Sequence, residues 1–251
     1  MQPIPPPRIL VALPAYNEEA NVGSLLHRIH GTLTQAGLAH SIVVVDDGSR
    51  DRTPEILSSC AQALPLIVET HASNQGLGGA LRDALKRASA SAAPGDVIVT
   101  MDSDESHSPE LILPMVKRVQ EGCDVVIASR YQPGSRVEGL ALHRVWISSL
   151  AGVLLRALFP TPGVRDYTCG FRAYRSEALQ LAYARYGDSL VDQSGFPCMV
   201  DVLLKMRRLP LVFGEVPMRL RYDLKRGASK MRLLQTSLAT LRLLWKRRLG
   251  E

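Results

Sequence analysis

Short apolar runs alternate with segments of helical periodicity along the first half of the chain. Runs rich in Val and Ile predict buried strands at "RILVALP", which Pro14 ends, and at "SIVVVDD", "PLIVET", "DVIVTMD" and "DVVIASR". Between them, apolar residues recur every three or four positions and predict helices over "NEEANVGSLLHRIHGTL", "TPEILSSCAQAL", "GGALRDALKRASA" and "SPELILPMVKRVQ". Thr53 is the predicted N-cap of the second helix, with Pro54 at its first position.

This alternation predicts the fold class. Strands with near-continuous apolar runs, separated by helices, are typical of a parallel sheet covered on both faces. We therefore predict an α/β fold with a Rossmann-like, mostly parallel sheet. After Tyr131 the pattern changes: we predict a loop at "QPGSRVEG", a long apolar helix at "LHRVWISSLAGVLLRALF", a turn leading into a helix at "DYTCGFRAYRSEAL", a helix at "MVDVLLKMRR", and two strands joined by a turn at "LVFGEVPMRLRY".

Charged residues follow the predicted strands directly. In open parallel sheets, ligands bind at the carboxyl ends of the strands, which lie at one edge. The ends of the first, second, fourth and fifth strands would bring together Glu18, Asp46, Asp47, Asp102, Asp104 and Arg130. A cluster of this kind predicts a functional site.

The most acidic part of that site lies in "VIVTMDSDESHSPEL". Asp102, Asp104 and Glu105 fall within four positions, and like charges this close repel unless a cation joins them. Alternate residues of an extended chain face the same side, so both aspartates can face one ion. Their oxygens are ligands that Mg²⁺ and Mn²⁺ prefer. The alternative, a solvated loop tip in which Asp104 and Ser106 cap the next helix, stays open here.

The glycines of "NQGLGGAL" follow the third strand, not the first, and no P-loop lysine accompanies them. We expect these glycines to form a tight turn into the next helix. They would also allow the backbone to approach a nucleotide closely.

Composition narrows the class of protein. A chain of 251 residues fits one large α/β domain or two small ones, and its four scattered cysteines favour neither a zinc site nor a disulfide framework. The start "MQPIPPPR" lacks the apolar core of a signal peptide, and no apolar run reaches the length of a membrane span. We therefore expect a cytoplasmic protein.

The net charge of +6 belongs to the end of the chain. From Arg219 onward there are ten basic residues against two acidic ones, so the preceding part is slightly acidic. A cationic segment favours an anionic partner, and without interleaved aromatic residues we expect a membrane surface and no nucleic acid.

In this order, "PAYNEE", "VVVDDGSRDRT", "NQGLGGAL", "MDSDESHSPE", "SRY" and "DYTCGFRAYR" resemble glycosyltransferase family 2, in particular its dolichol-phosphate (polyprenol-phosphate) mannose synthase branch. The resemblance implies a GT-A fold. It also implies inverting transfer of a sugar, usually mannose from GDP-mannose, to a polyprenyl phosphate with Mg²⁺ or Mn²⁺. We expect a catalytic domain over residues 1–230 and a basic amphipathic helix over residues 231–251.

By position, the resemblance also implies roles for single residues. Donor binding falls to Pro14, Ala15, Tyr16, Glu18, Asp46, Asp47 and Asp102. The metal ligands would be Asp102, Asp104 and Ser106, with Asp104 the direct one. Contacts to the acceptor phosphate fall to Arg130, Arg144, Ser148, Arg226 and Lys230. The chemical step would depend on Asp104, Arg130, Arg144, Ser148 and Asp201. The chain departs from the family pattern at Glu105, Cys169 and Met199.

Two other functions remain open at this point. A family 2 transferase acting on a soluble glycan or another hydroxyl acceptor would need a general base, for which Asp201 is the candidate. A membrane-surface scaffold with a weak site would need neither donor nor metal. From the sequence we expect peripheral attachment to the cytoplasmic face of a membrane. Whether a partner subunit supplies an anchor stays open.

The segment after Lys230 is predicted to bind the membrane surface. Its apolar residues recur at helical spacing among cations, as in helices that lie at the headgroup boundary. Each cation near anionic lipid contributes about 1 kcal/mol. Removal of residues 231–251 is expected to abolish co-flotation with phosphatidylserine vesicles, while neutral vesicles serve as the control. Equal flotation of the truncated chain would show that the segment packs on its own protein instead.

Overall fold

The computed structural model describes residues 6–138 and 152–221. The strands in chain order are β1 (Ile9–Ala15), β2 (His40–Asp46), β3 (Leu66–Thr70), β4 (Val97–Thr100), β5 (Val125–Ser129), β6 (Arg136–Glu138), β7 (Arg172–Arg175), β8 (Phe213–Pro217) and β9 (Arg219–Arg221). Seven of them form one sheet in the order β3-β2-β1-β4-β7-β5-β8, in which only β7 is antiparallel to its neighbours. Strands β6 and β9 form a separate parallel pair.

Helices cover both faces of the large sheet. They are α1 (Val22–Gln35), α2 (Thr53–Ala61), α3 (Gly76–Ser91), α4 (Ile112–Gln120), the helical residues 152–158, labelled α5, then α6 (Ser176–Tyr186) and α7 (Pro197–Met206). Short 3₁₀ helices precede α4 (Pro109–Leu111) and follow α6 (Gly187–Val191). Buried side chains of α1, α2 and α4 pack on one face, and those of α3 and α6 pack on the other. The predicted α/β fold is confirmed.

Strand β1 shows why the apolar runs are continuous. Ile9, Val11 and Leu13 point into the core beneath α1 and α4, whereas Leu10 and Ala12 point into the core beneath α3. All five side chains are fully buried. A strand buried on both faces has no solvent side, so its sequence lacks the alternation of a half-exposed strand.

Two boundaries were predicted wrongly. Strand β1 does not end at Pro14 but continues to Ala15. The pairing of β1 with β4 stops at Ala12, and the Pro14 carbonyl accepts a hydrogen bond from the Ser103 hydroxyl beyond β4, so the missing N–H breaks no ladder bond. Thr53 is the first residue of α2, not its N-cap, and its hydroxyl accepts a hydrogen bond from the Glu18 amide.

Two strands were missed. The segment predicted as a turn before a helix contains β7, and the segment predicted as a loop contains β6. Strand β7 has only four residues and a charged residue at each end, so it gives no apolar signal. Arg172 is nevertheless fully buried. Its charged side chain is stabilised there because its Nε and Nη2 donate to the carbonyls of Cys169 and Tyr167.

The glycines at the start of α3 admit another part of the backbone. The Gly78 amide donates to the Ser194 carbonyl at 2.9 Å, and a Cβ on Gly78 would lie 1.7 Å from the Gln193 carbonyl oxygen. Residues 192–196, which lead into α7, therefore lie directly on this turn. The predicted tight helix entrance is confirmed, and the segment that approaches it is the chain itself.

Part of the predicted organisation lies outside the described residues. This includes the amphipathic helix predicted over residues 231–251 and residues 142–151 of the predicted apolar helix. Among the helices that the structure does describe, none combines the length and the apolar character that a membrane crossing requires.

Gly78→Ala is expected to destabilise the protein by about 1–3 kcal/mol, because the new methyl group would force apart two backbone segments. The measurement is the free energy of unfolding in urea. Gly31→Ala is the matched control, since Gly31 lies inside α1 with open space at its Cβ position. That variant should gain about 0.5–1 kcal/mol from lower conformational entropy of the unfolded chain. Equal stability of both variants would contradict the proposed close contact.

Candidate active site

The loops after β1 and β2 lie against each other at the carboxyl edge of the sheet. The Asp47 amide donates to the Ala15 carbonyl, and the Asn17 amide donates to the Ser49 hydroxyl, both at 2.8 Å. Asn17 has a positive φ of 51° and accepts a hydrogen bond from the Arg50 amide through its side chain. The residues predicted to bind the donor thus come together here: Pro14, Ala15, Tyr16, Glu18, Asp46 and Asp47.

Asp46 is the carboxylate of this group with an unsatisfied oxygen. Its side chain is fully buried at the end of β2, and Oδ1 accepts a hydrogen bond from the Ser49 amide. Oδ2 has no hydrogen-bond partner among the residues that the structure describes. A buried acceptor without a donor is costly, so this atom marks a position where a ligand N–H or O–H group would be stabilising.

Asp47 has a different environment. Its carboxylate accepts hydrogen bonds from the Gln75 and Gly76 amides at the start of α3, both at 2.8 Å. The ring of His71, which follows β3, lies between two carboxylates, with Nδ1 2.7 Å from Asp47 and Nε2 3.0 Å from Asp83. Asp47 therefore fixes the start of α3 relative to β2 and β3. Both of its carboxylate oxygens already accept hydrogen bonds from the protein.

The loop after β4 carries the predicted metal ligands. Asp104 is buried, and its Oδ1 accepts hydrogen bonds from the Ser106 amide at 3.1 Å and the Ser106 hydroxyl at 2.5 Å. Asp102 is about one-third exposed, with Oδ2 4.0 Å from Nε2 of His107. His107 itself is buried and stacks on Phe171 with ring centroids 5.1 Å apart. His107 therefore lies beside the acidic cluster.

Glu105 adds to the negative charge of this loop. It has the left-handed φ of 59°, which is unfavourable for a residue with a side chain. Its Oε1 is buried, and no group in the described ranges forms a hydrogen bond with it. Nevertheless, no three acidic, histidine or cysteine side chains of the described residues converge into a complete metal site.

A divalent cation fits this loop by its chemistry. The loop offers carboxylate and hydroxyl oxygens, and Glu105 directly follows Asp104 in the sequence, so three carboxylates fall within four positions and favour a cation. Since the protein supplies few ligands, the coordination would be completed by oxygens of a bound ligand, which is usual for Mg²⁺.

Arg130, which follows β5, forms a two-bond ion pair with a buried aspartate. Its Nε and Nη2 each lie 2.8 Å from an oxygen of Asp166, a carboxylate with no exposed surface. Burial opposes the ionisation of Asp166, but the charge and hydrogen bonds of Arg130 outweigh it and lower the Asp166 pKa. Burial likewise opposes the charge on Arg130, and Asp166 outweighs it and raises the Arg130 pKa. Both groups are therefore charged at neutral pH.

Asp201 does not face an open site. Its side chain is fully buried on α7, and Nζ of Lys205 lies 2.6 Å from its Oδ2. The same Nζ is 3.3 Å from Asp192. A carboxylate in this position has no exposed surface from which to take a proton from an acceptor. This position does not favour the role of general base that the sequence suggested for Asp201.

Four predicted acceptor residues lie outside the described residues: Arg144, Ser148, Arg226 and Lys230. Sequence reasoning also missed two contributors to the site, His71 and Asp166. His71 follows β3 directly, so the strand-end rule was sufficient to find it. Asp166 precedes β7, and the failure to predict that strand hid its position.

Solved structures share this architecture, among them several of one glycosyltransferase. Glucosyl-3-phosphoglycerate synthase from Mycobacterium tuberculosis, in complex with phosphoglyceric acid, has a TM-score of 0.68 at 23% identity, over 97% of this chain and 80% of that one. The same enzyme with Mn²⁺, UDP-glucose and glycerol 3-phosphate has a TM-score of 0.67 at 24% identity, over 97% and 80%. The protein thus has the fold of GT-A glycosyltransferases, as predicted.

Sequence comparison then gives the family. A profile described as Glycosyl transferase family 2 matches residues 10–181, and the chain belongs to this family. Dolichol-phosphate mannosyltransferase of Pyrococcus furiosus is 34% identical over 82% of this chain and 56% of its own length. Polyprenol monophosphomannose synthase of Mycolicibacterium smegmatis is 34% identical over 90% and 82%. The chain therefore spans little more than half of the Pyrococcus relative.

Asp104→Asn is expected to weaken Mn²⁺ binding more than about tenfold, because it removes a ligand charge and keeps the side-chain shape. Binding is measured by electron paramagnetic resonance of free Mn²⁺, with GDP or UDP present, and folding by thermal unfolding. The matched control is Asp96→Asn, which removes the same charge just before β4, at the opposite end of the strand. Unchanged Mn²⁺ affinity in Asp104→Asn would exclude Asp104 as a ligand.

Proposed function

We propose that this protein is an inverting glycosyltransferase that moves mannose from GDP-mannose to a polyprenyl phosphate, using Mg²⁺ or Mn²⁺. The observation that carries the proposal is the arrangement of one sheet edge, where the acidic loop after β4 and the ion-paired Arg130 after β5 flank β7. The names of the two relatives at 34% identity support the transfer of mannose to a polyprenyl phosphate.

The donor would bind over the loops after β1, β2 and β4. The unsatisfied Oδ2 of Asp46 accepts from a base N–H or a ribose hydroxyl in this arrangement, while Tyr16 and Glu18 border the same loop. Asp47 would act indirectly, by fixing the start of α3. Asp102, Asp104 and Ser106 would hold the metal. When bound, the metal offsets negative charge on the diphosphate and acts as a Lewis acid.

The acceptor chemistry favours a phosphate. In the reaction, an oxygen of the acceptor phosphate forms a bond to the anomeric carbon, the bond from that carbon to the diphosphate breaks, and the configuration inverts. A phosphate is already ionised at neutral pH and needs no general base. Arg130 would orient it through charge-assisted hydrogen bonds, together with Arg144, Ser148, Arg226 and Lys230 from outside the described residues.

A hydroxyl acceptor is the second candidate. A sugar hydroxyl has a far higher pKa than a phosphate and needs a carboxylate within hydrogen-bond reach. Asp201, the carboxylate proposed for that step, is fully buried and paired with Lys205. This placement supports the phosphate acceptor over the hydroxyl one.

The proposed location is the cytoplasmic face of a membrane. A polyprenyl phosphate keeps its headgroup at the bilayer surface, and the basic residues after Lys230 would bring the chain to it. Flotation of the purified chain alone would show that attachment needs no anchoring partner subunit.

The test is transfer by the purified chain. GDP-mannose, GDP-glucose, UDP-glucose and UDP-galactose are each offered with a short polyprenyl phosphate, a soluble mannoside or 3-phosphoglycerate, with Mn²⁺ or with EDTA. We expect transfer from GDP-mannose to the lipid phosphate, abolished by EDTA. In Arg144→Ala, kcat/KM for the lipid should fall about tenfold through loss of a charged hydrogen bond, with donor affinity unchanged.

Three results would change the proposal. Transfer only to the mannoside or to 3-phosphoglycerate would replace the lipid acceptor. An equal loss of donor affinity in Arg144→Ala would move that residue out of the acceptor site. Absence of transfer and hydrolysis with every donor would favour a membrane-surface scaffold.

A further inference from the structure

The ion pair between Asp166 and Arg130 joins the segment after β5 to the loop that enters β7. Arg130 comes directly after β5, and Asp166 lies in the loop that enters β7. We propose that Asp166 is a positioning residue, which fixes the plane and direction of the Arg130 guanidinium for the acceptor phosphate. This inference rests on the proposed function and adds to it a residue that the sequence had left without a role.

The contact geometry constrains Arg130 in several ways. One carboxylate oxygen of Asp166 accepts from both the backbone amide and Nε of Arg130, and the other accepts from Nη2. Two parallel bonds to a planar guanidinium hold its plane, which one bond or a lysine would not do. The Thr168 hydroxyl also contacts Nη2.

Asp166 is held in place by contacts other than Arg130, so within the pair it is Asp166 that positions Arg130. The Asp166 carboxylate accepts from the Cys169 amide at 3.1 Å, and the Asp166 amide donates to Glu215 of β8 at 2.7 Å. Glu215 also accepts from the Arg165 amide and from the Gln132 side chain. Asp166 is thus part of a rigid loop, whereas Arg130 has a long side chain whose position must be set by what it contacts.

The same two strands provide a comparison at their other end. Asp124, just before β5, pairs with Arg175 at the end of β7 with an N–O distance of 3.2 Å. That pair joins the same strands far from the acidic loop, and both side chains are partly exposed. A purely structural link between β5 and β7 therefore needs no buried carboxylate. The burial of Asp166 is instead what raises the strength and precision of its bonds to Arg130.

The test is a double-mutant cycle on transfer to a short polyprenyl phosphate, using the full chain. Asp166→Asn is expected to lower kcat/KM for the lipid phosphate about 10- to 100-fold, because a misplaced contact group costs about this much, with the KM for the donor within about twofold. In the Arg130→Ala background, adding Asp166→Asn should change kcat/KM less than about threefold. Asp124→Asn, the matched control, should leave the kinetics unchanged.

Arg130→Lys keeps the charge and loses the two-bond geometry, and it keeps the test decisive if Asp166→Asn does not fold. We expect a loss comparable to that of Asp166→Asn. Near-normal activity of Arg130→Lys would overturn the proposal, because charge alone would then suffice. The proposal would also be overturned if Asp166→Asn lowered kcat/KM by the same factor in the Arg130→Ala background as in the wild type. An equal loss of donor affinity in Asp166→Asn would overturn it as well.

Binding of farnesyl phosphate, measured calorimetrically without donor, separates this inference from the proposed function. If the wild type binds farnesyl phosphate but transfers no sugar to any polyprenyl phosphate, the proposed reaction is wrong. The inference is then tested by the same double-mutant cycle applied to farnesyl phosphate binding, with the wild type, Asp166→Asn, Arg130→Ala and the double variant. If the wild type does not bind farnesyl phosphate, both are wrong.

Discussion

Parallel pairing of β1 with both β2 and β4 is the constraint on which the rest of the site depends. The register aligns Ala15 with Asp46 and Ala12 with Thr100, so the loops after all three strands leave the sheet at one edge. Hydrogen bonds then join these loops, among them those from the Asp47 amide to the Ala15 carbonyl and from the Ser103 hydroxyl to the Pro14 carbonyl. The acidic residues lie at one edge because parallel strands in this register all end there, and their loops begin at the same edge.

The order of the strands separates the charges of the edge. Acidic loops follow β2 and β4, whereas the guanidinium of Arg130 follows β5, with β7 between them. An anionic nucleotide and an anionic acceptor repel each other, so a site that joins them benefits from a metal on one side and a fixed cation on the other. The loop that enters β7 supplies the carboxylate that keeps this cation in place.

The sequence allowed prediction of the elements with strong periodicity and of the residues that follow parallel strands. Asp46, Asp102, Asp104 and Arg130 were found because they come directly after apolar runs. The rule fails for an antiparallel strand, in which the residues before the strand, not after it, lie at the site edge. Asp166 was therefore missed. The buried pairing of Asp201 with Lys205 also escaped prediction, since a four-residue spacing on a helix is equally typical of an exposed pair.

The position of β7 also determines the order in which the sheet can be completed. Strands β4 and β5 are separated by β7, which is made last of the three. As the chain leaves the ribosome, β1 to β4 and their helices can pair among themselves, but β4 keeps an unpaired side until Arg175 has been synthesised. Neither β5 nor β8 has a partner in the first half of the sheet. The catalytic edge is therefore assembled by the insertion of one short strand with many distant contacts, a slow kind of step in folding.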